Sequence, residues 1–210
     1  MKLASISVVA LACACAQGAI VQIDIAGTVD FNVFSTGPFA GVPSGAPASL
    51  RFQVDSNNFL NSPTFPTRGY VITQPTFTFQ AGAGSTTLLN PFPAGQTPYF
   101  VLRNNDPSVD GFFISTGTGL PSPLALQFNP NAGMNFLATY PGTTLSSLDI
   151  LGAVGIYSLT GLSVFDWRIS VGPGDPMGMN YNTMTISVVP APASMLCLAG
   201  LGLVSRRRRN

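Results

Sequence analysis

Ser49-Leu50-Arg51-Phe52-Gln53-Val54 alternates without a break: Leu50, Phe52 and Val54 point one way, Arg51 and Gln53 the other. A period of two residues belongs to a β-strand, and an apolar face backed by a polar one belongs to a strand that covers a core on one side and meets water on the other. Working outward, the same pattern recurs. Residues 21–25 place Val21, Ile23 and Ile25 together, and residues 28–34 place Val29, Phe31 and Val33 together. Residues 37–47 are rich in Pro and Gly and read as a loop. Residues 69–80 carry Tyr70, Ile72, Phe77 and Phe79, with Pro75 marking a bend or an edge.

Further strands are expected at 86–89, 99–103, 111–115 and 123–128, and a last one at 183–189. Residues 162–170 alternate again. Ser163, Phe165, Trp167 and Ile169 share one side, while Asp166 and Arg168 make a solvated face opposite. Residues 172–178 read as a Gly/Pro turn. Residues 145–153 fit either one short helix, starting near Thr144 or Ser146, or the approach to a strand. About ten or eleven short strands with Gly/Pro turns predict an all-β domain, an antiparallel β-sandwich of jelly-roll or immunoglobulin-like type.

Composition narrows the function. Of 210 residues only 8% are charged, and the chain has no His and no Glu. Without His, a Ser-His-Asp triad and a zinc-histidine site are excluded. Between the two ends stand four basic residues (Arg51, Arg68, Arg103, Arg168) and eight aspartates, a net charge of −4. An acidic domain of this kind is a poor partner for nucleic acid. The three cysteines, Cys13, Cys15 and Cys197, all lie in the terminal segments, so the domain at 20–189 depends on its apolar core.

The ends carry targeting information. Residues 1–19 read as a secretory signal peptide: Lys2, then a short apolar run of small residues. Small-x-small cleavage sites end at Ala16 and at Ala19. Cys13 and Cys15 lack the Leu that a lipidation site places three residues earlier. At the other end, Val189-Pro190-Ala191-Pro192 resists helix, residues 193–204 are apolar but shorter than the roughly 20 needed to span a membrane, and Arg206, Arg207, Arg208 and Arg209 resist translocation.

This order of Pro motif, short Gly/Leu-rich hydrophobic segment and basic cluster resembles the PEP-CTERM sorting signal of bacterial surface proteins, with Ala191 where that family most often has Glu. The resemblance implies a hydrophobic sorting helix at 190–210 and cutting near the Pro motif by a membrane-embedded exosortase. It also implies export across the inner membrane to the envelope or extracellular matrix, with a transient membrane anchor. The domain itself is similar to the β-sandwich common in such proteins, through Gly27-Thr28-Val29, residues 49–55 and residues 104–112. The plainer alternative is a membrane anchor that is never cut.

Within the domain, Asn104, Asp106 and Asp110 could supply oxygen ligands to Ca²⁺, but their spacing is not that of an EF-hand and the same residues build tight turns. Neither a catalytic group nor a cofactor site stands out among the aspartates, so the chain is read as non-enzymatic, and an Asp-based hydrolase is the weaker alternative. A second alternative is a carbohydrate-binding module facing extracellular polysaccharide, with Trp167, Tyr70, Tyr99, Tyr140 and Tyr181 as stacking platforms. Trp167 shares a side with Phe165 and Ile169 and reads more readily as core.

Overall fold

The computed structural model describes residues 18–190. Twelve strands follow one another: β1 (Ile20–Asn32), β2 (Pro47–Asn61), β3 (Thr67–Ile72), β4 (Thr78–Ala81), β5 (Gly84–Thr86), β6 (Tyr99–Arg103), β7 (Val109–Ser115), β8 (Leu124–Leu126), β9 (Asn129–Pro141), β10 (Gly155–Ser158), β11 (Val164–Val171) and β12 (Gly174–Val188). A 3-10 turn at Gln74–Thr76 holds Pro75 at the expected bend between β3 and β4. The leader up to residue 17 and the tail from residue 191 lie outside the described residues. With them lie Ala16, Ala191, Pro192, the four terminal arginines and the expected sorting helix.

The all-β class expected from the alternation is what the chain adopts. The strands pair antiparallel in the order β1-β12-β11-β9-β7-β6-β3-β2, and β2 pairs back onto β1, so eight strands close into a barrel. β4 and β5 extend from β2, β8 lies on β9, and β10 lies on β12. The expected pair of separate sheets is not what this pairing draws. The reason lies in two strands of 15 residues each, β2 and β12. Residues 48–51 of β2 pair with β4, and residues 59–61 pair with β3. In β12, Gly178 and Met177 pair with β11, and residues 183–186 pair with β10. Alternation reports which face a strand buries. It carries nothing about which neighbour lies alongside, so a sandwich and a barrel share one sequence signal.

The interior is built in register. Val21, Ile23 and Ile25 of β1 stand opposite Val54, Phe52 and Leu50 of β2, and all six are buried. Phe52 meets Phe100 edge-on at 5.4 Å, and Phe100 stacks on Phe112 at 5.8 Å, contacts that add to the stabilisation from burial alone. On the outer face of β1 and β2, Asp24 pairs with Arg51, and the Gln53 amide donates to Gln22 at 3.0 Å. Apolar side chains inside and charged ones outside reverse the pattern of a lipid-facing barrel. Among the described residues, no helix is long and apolar enough to cross a membrane.

Several local expectations change. Residues 145–153 form turns that lead into β10, so of the two readings the approach to a strand holds and the helix does not. Side chains take up the backbone groups there: the Tyr70 hydroxyl donates to the Leu148 carbonyl at 2.7 Å and accepts from the Ile150 amide at 3.0 Å. β9 and β10 were not anticipated. β9 does alternate inward through Met134, Phe136, Ala138 and Tyr140, but Asn-Pro-Asn-Ala-Gly at its start reads as a turn. β12 begins at Gly174, inside the expected 172–178 turn; the turn itself is confined to the hairpin, where Gly172 has φ +56°. Finally, Phe31 and Val33 do not follow Val29 inward, because the β1–β12 register shifts between Val29 and Phe31.

One end of the core holds three tyrosines. The hydroxyls of Tyr140 and Tyr181 lie 3.1 Å apart, Tyr181 donates to the Tyr157 carbonyl at 3.1 Å, and Tyr157 donates to the Ala153 carbonyl at 2.7 Å. Burial pushes all three hydroxyls above their ordinary pKa; for Tyr157, burial and then the neighbouring Tyr140 carry it to about 12.

Candidate functional site

β11 and β12 are joined by a short ladder only. Arg168 stands opposite Gly178, Ile169 opposite Met177 and Val171 opposite Gly174. Above Arg168, β11 continues alone with β9 as far as Val164, while β12 continues with β1 and then takes β10. A fork opens between the two strands, and a cleft of about 210 Å³ lies over it.

The floor and walls follow from register. Phe31 of β1, Gly178 of β12 and Arg168 of β11 stand opposite one another in a single row. Directly opposed residues of an antiparallel pair share a face, so the glycine leaves room for its neighbour on β1. Phe31 takes that room: a Cβ on Gly178 would sit 2.4 Å from its ring. The bulge that shifts β1 after Val29 is what sends Asp30 and Phe31 outward. Val29 is 1% exposed and Phe31 43%. On the far side, Phe165 shares a side of β11 with Trp167 but is 40% exposed, because β12 no longer runs alongside it. Trp167 itself is buried under the cleft, and its Nε1–H has no hydrogen-bond partner among the described residues.

The polar groups are ordered. Arg168 Nε is 3.2 Å from Asp166 Oδ2, and its Nη1 is 3.0 Å from Asp175 Oδ2. The Asn180 side chain donates to Asp30 Oδ1 at 3.3 Å. Burial raises the pKa of the Asp166 carboxyl; Arg168 opposes the shift and Asp175 adds to it. Three carboxylates against one guanidinium leave the cleft net acidic. A neighbouring depression of about 330 Å³, lined by Val33, Phe34, Val171 and Pro176, meets it at Asp175. A third hollow, of about 380 Å³ beside the 3-10 turn, is lined by Ile72, Gln74, Pro75, Thr87, Leu88 and Asn90 and has neither charge nor aromatic ring. The fork therefore offers what polar recognition needs: stacking surface, fixed acceptors, a fixed donor.

The residues singled out by sequence fall elsewhere. Tyr70, Tyr140, Tyr181 and Trp167 are buried and unavailable as platforms; Tyr99 is half-buried, with its ring against Gly69. Asn104 and Asp106 lie on the loop between β6 and β7, and Asp110 stands just beyond it on β7. There Asp110 is fully buried, and both its oxygens accept backbone amides, from Asn105 at 2.8 Å and Leu145 at 2.6 Å. Among the described residues no group of three or more His, Cys, Asp or Glu is placed to hold a metal ion. Ala19, Val189 and Pro190 stand together where the chain enters and leaves the barrel, with Ile20 hydrogen-bonded to Val189. Asp30, Phe31, Phe165, Asp175 and Asn180 were not foreseen as a group. The Asp166–Arg168 alternation was the one signal in the sequence that pointed to this face.

Compared with protein-family models, curated proteins and solved structures, the chain shows no match.

Proposed function

We propose that this is an exported, non-catalytic envelope or matrix protein, with a barrel exposed outside the inner membrane and a C-terminal tail processed by an exosortase-like enzyme near Val189-Pro190-Ala191-Pro192. The observation that carries the reading is the position of the Pro motif. β12 pairs with β1 as far as Val188 opposite Val21, the Val189 amide donates to the Ile20 carbonyl at 2.8 Å, and Pro190 follows, exposed. Among the described residues, the hydrogen bonding of β12 ends at the first residue of the motif. A cut after Pro190 leaves every β1–β12 hydrogen bond in place.

The other end favours one leader site. The Ala19 amide donates to Ser56 Oγ at 2.9 Å, and the Ser56 amide donates to the Ala19 carbonyl at 3.0 Å. Gly18 is packed against Asp55 so closely that a Cβ would clash. Cleavage after Ala16 keeps these contacts, whereas cleavage after Ala19 loses both hydrogen bonds.

We also read β2 and β12 as corners between two sandwich-like walls of the barrel; their change of partners supports that reading. The lack of catalysis is supported by the best carboxylate pair, Asp166 and Asp175. Glycoside hydrolysis needs one protonated and one ionised carboxyl flanking the bond to be cut. Here Arg168 bridges the two.

Intact mass of the protein recovered from its host's envelope and medium tests the proposal. The expected species starts at Gln17 and ends between Pro190 and Ala193. A full-length tail in the membrane fraction would refute processing and leave a plain anchored β-domain.

A further inference from the structure

We propose that the fork between β11 and β12 is a binding site for a neutral polysaccharide, with one sugar ring against the Phe31 ring in the cleft and the next in the apolar depression beyond Asp175. The inference does not rest on tail processing: a chain that keeps its tail carries the same cleft.

Three observations carry it. First, Phe31, whose ring covers Gly178, and Phe165 are both large, apolar and about two-fifths exposed, and both line the cleft. A sugar ring presents C–H groups to such faces and hydroxyls around its rim. Second, the rim of the cleft is an array of fixed acceptors and donors. Asp166 and Asp175 are each held through one oxygen by Arg168, and Asp30 is held through one oxygen by Asn180, so each carboxylate keeps an oxygen that accepts no other hydrogen bond among the described residues. Such preorganised groups bind vicinal hydroxyls without paying again for ordering. Third, the excess of carboxylates repels uronate, sulfate or phosphate groups, which selects neutral sugars over anionic ones.

Size sets the mode of binding. A cleft of about 210 Å³ lies below the roughly 300–1,000 Å³ of a site for a drug-sized ligand and suits a single ring. The depression of about 330 Å³ shares Asp175 with it, so two adjoining rings of a chain can be held across the β11–β12 hairpin. The affinity should therefore rise with chain length.

The chain has its own probe. Trp167 is its only tryptophan and lines the cleft. The experiment is a fluorescence titration of the full chain in mild detergent with maltohexaose, cellohexaose, mannohexaose and xylohexaose. The matching monosaccharides and polygalacturonate serve as comparisons. At least one neutral hexasaccharide should give a saturable change, bind more tightly than its monosaccharide, and weaken about five- to tenfold in Phe165→Ala, the loss expected for one stacking face. Asp175→Asn removes an exposed charge and should fold normally; it should weaken the same ligand and so keeps the test valid if Phe165→Ala is unstable. The proposal is overturned by the absence of a saturable change with every neutral hexasaccharide at millimolar concentration. It is equally overturned by a preference for polygalacturonate, or by binding that both variants leave unaltered.

Discussion

Replacing Asp110 by Ala isolates the role of the loop between β6 and β7. Asp110 is fully buried, faces Tyr140 across the β7–β9 pair, and accepts amides from two different loops: Asn105 in the one before β7 and Leu145 in the segment after β9. Hydrogen bonds to a charged acceptor contribute about 1.5–3 kcal/mol each, so two are worth roughly 3–6 kcal/mol. The variant recovers part of that. The Asn105 amide sits on an exposed residue that water can reach, and the fold no longer has to bury a carboxylate. The Leu145 amide is buried and stays orphaned. The expected net loss is about 3 kcal/mol, with a smaller loss of about 2 kcal/mol for Asp110→Asn, which keeps one acceptor. Urea unfolding followed by Trp167 fluorescence checks this. With an m value of about 2 kcal/mol/M, the midpoint should fall by roughly 1.5 M at unchanged m. A loss under about 0.5 kcal/mol would refute the reasoning, since that is the range of an ordinary surface change. So would a wild-type midpoint that rises in millimolar Ca²⁺ and falls in EDTA, with the response gone in Asp110→Ala, because a ligand bound only to the native state stabilises it by mass action.

Two further outcomes follow from the core. The tyrosine hydroxyls titrate higher in the folded chain than their ordinary value of 10, Tyr157 near 12 and Tyr181 further up, so the neutral form is the one the fold favours. Their contribution is fully present below pH 10 and is lost as pH rises through the folded pKa values. Melting temperature should therefore fall from about pH 10 upward, and less steeply in Tyr157→Phe. Gly27→Ala should destabilise by about 3 kcal/mol or more, the upper part of the overpacking range. Its Cβ would sit 1.9 Å from the Asn180 carbonyl oxygen and 2.9 Å from the Trp167 ring, and the first of these is backbone that cannot swing aside. An unfolding midpoint close to wild type would show that β1 and β12 can separate at this point.

Some elements were legible because their signal is local. Residues 99–103 were expected as a strand and are β6, and Pro75 was expected at a bend and sits in the turn between β3 and β4. The burial of Trp167 and Ile169 opposite a paired Asp166 and Arg168 also follows from alternation alone. Where a partner from far along the chain intervenes, the signal fails. Residues 145–153 fit a helix as well as a strand approach until Tyr70 and Asp110 are seen to take their backbone groups. Phe31 looks inward until the bulge opposite Met179 and Gly178 turns it out. Trp and Tyr drew attention as sugar platforms by residue type, but the exposed rings of the fork are Phe, and a Phe in a strand gives no sign in sequence of which side of a bulge it occupies.

What the sequence determined by itself is composition and period: an all-β chain, its apolar faces, its acidic surface, and two terminal segments that resemble targeting signals. These depend on neighbours within a few residues, which the chain carries wherever it goes. Closure and site come from long-range pairing. Whether β2 returns to β1, where β12 exchanges β11 for β10, and which side chains meet over Gly178 depend on how all the pairings fit together, including that of β1 with β12, whose partners lie more than a hundred positions apart. Many such registers satisfy the same alternation, and only packing of the whole core at once selects one of them.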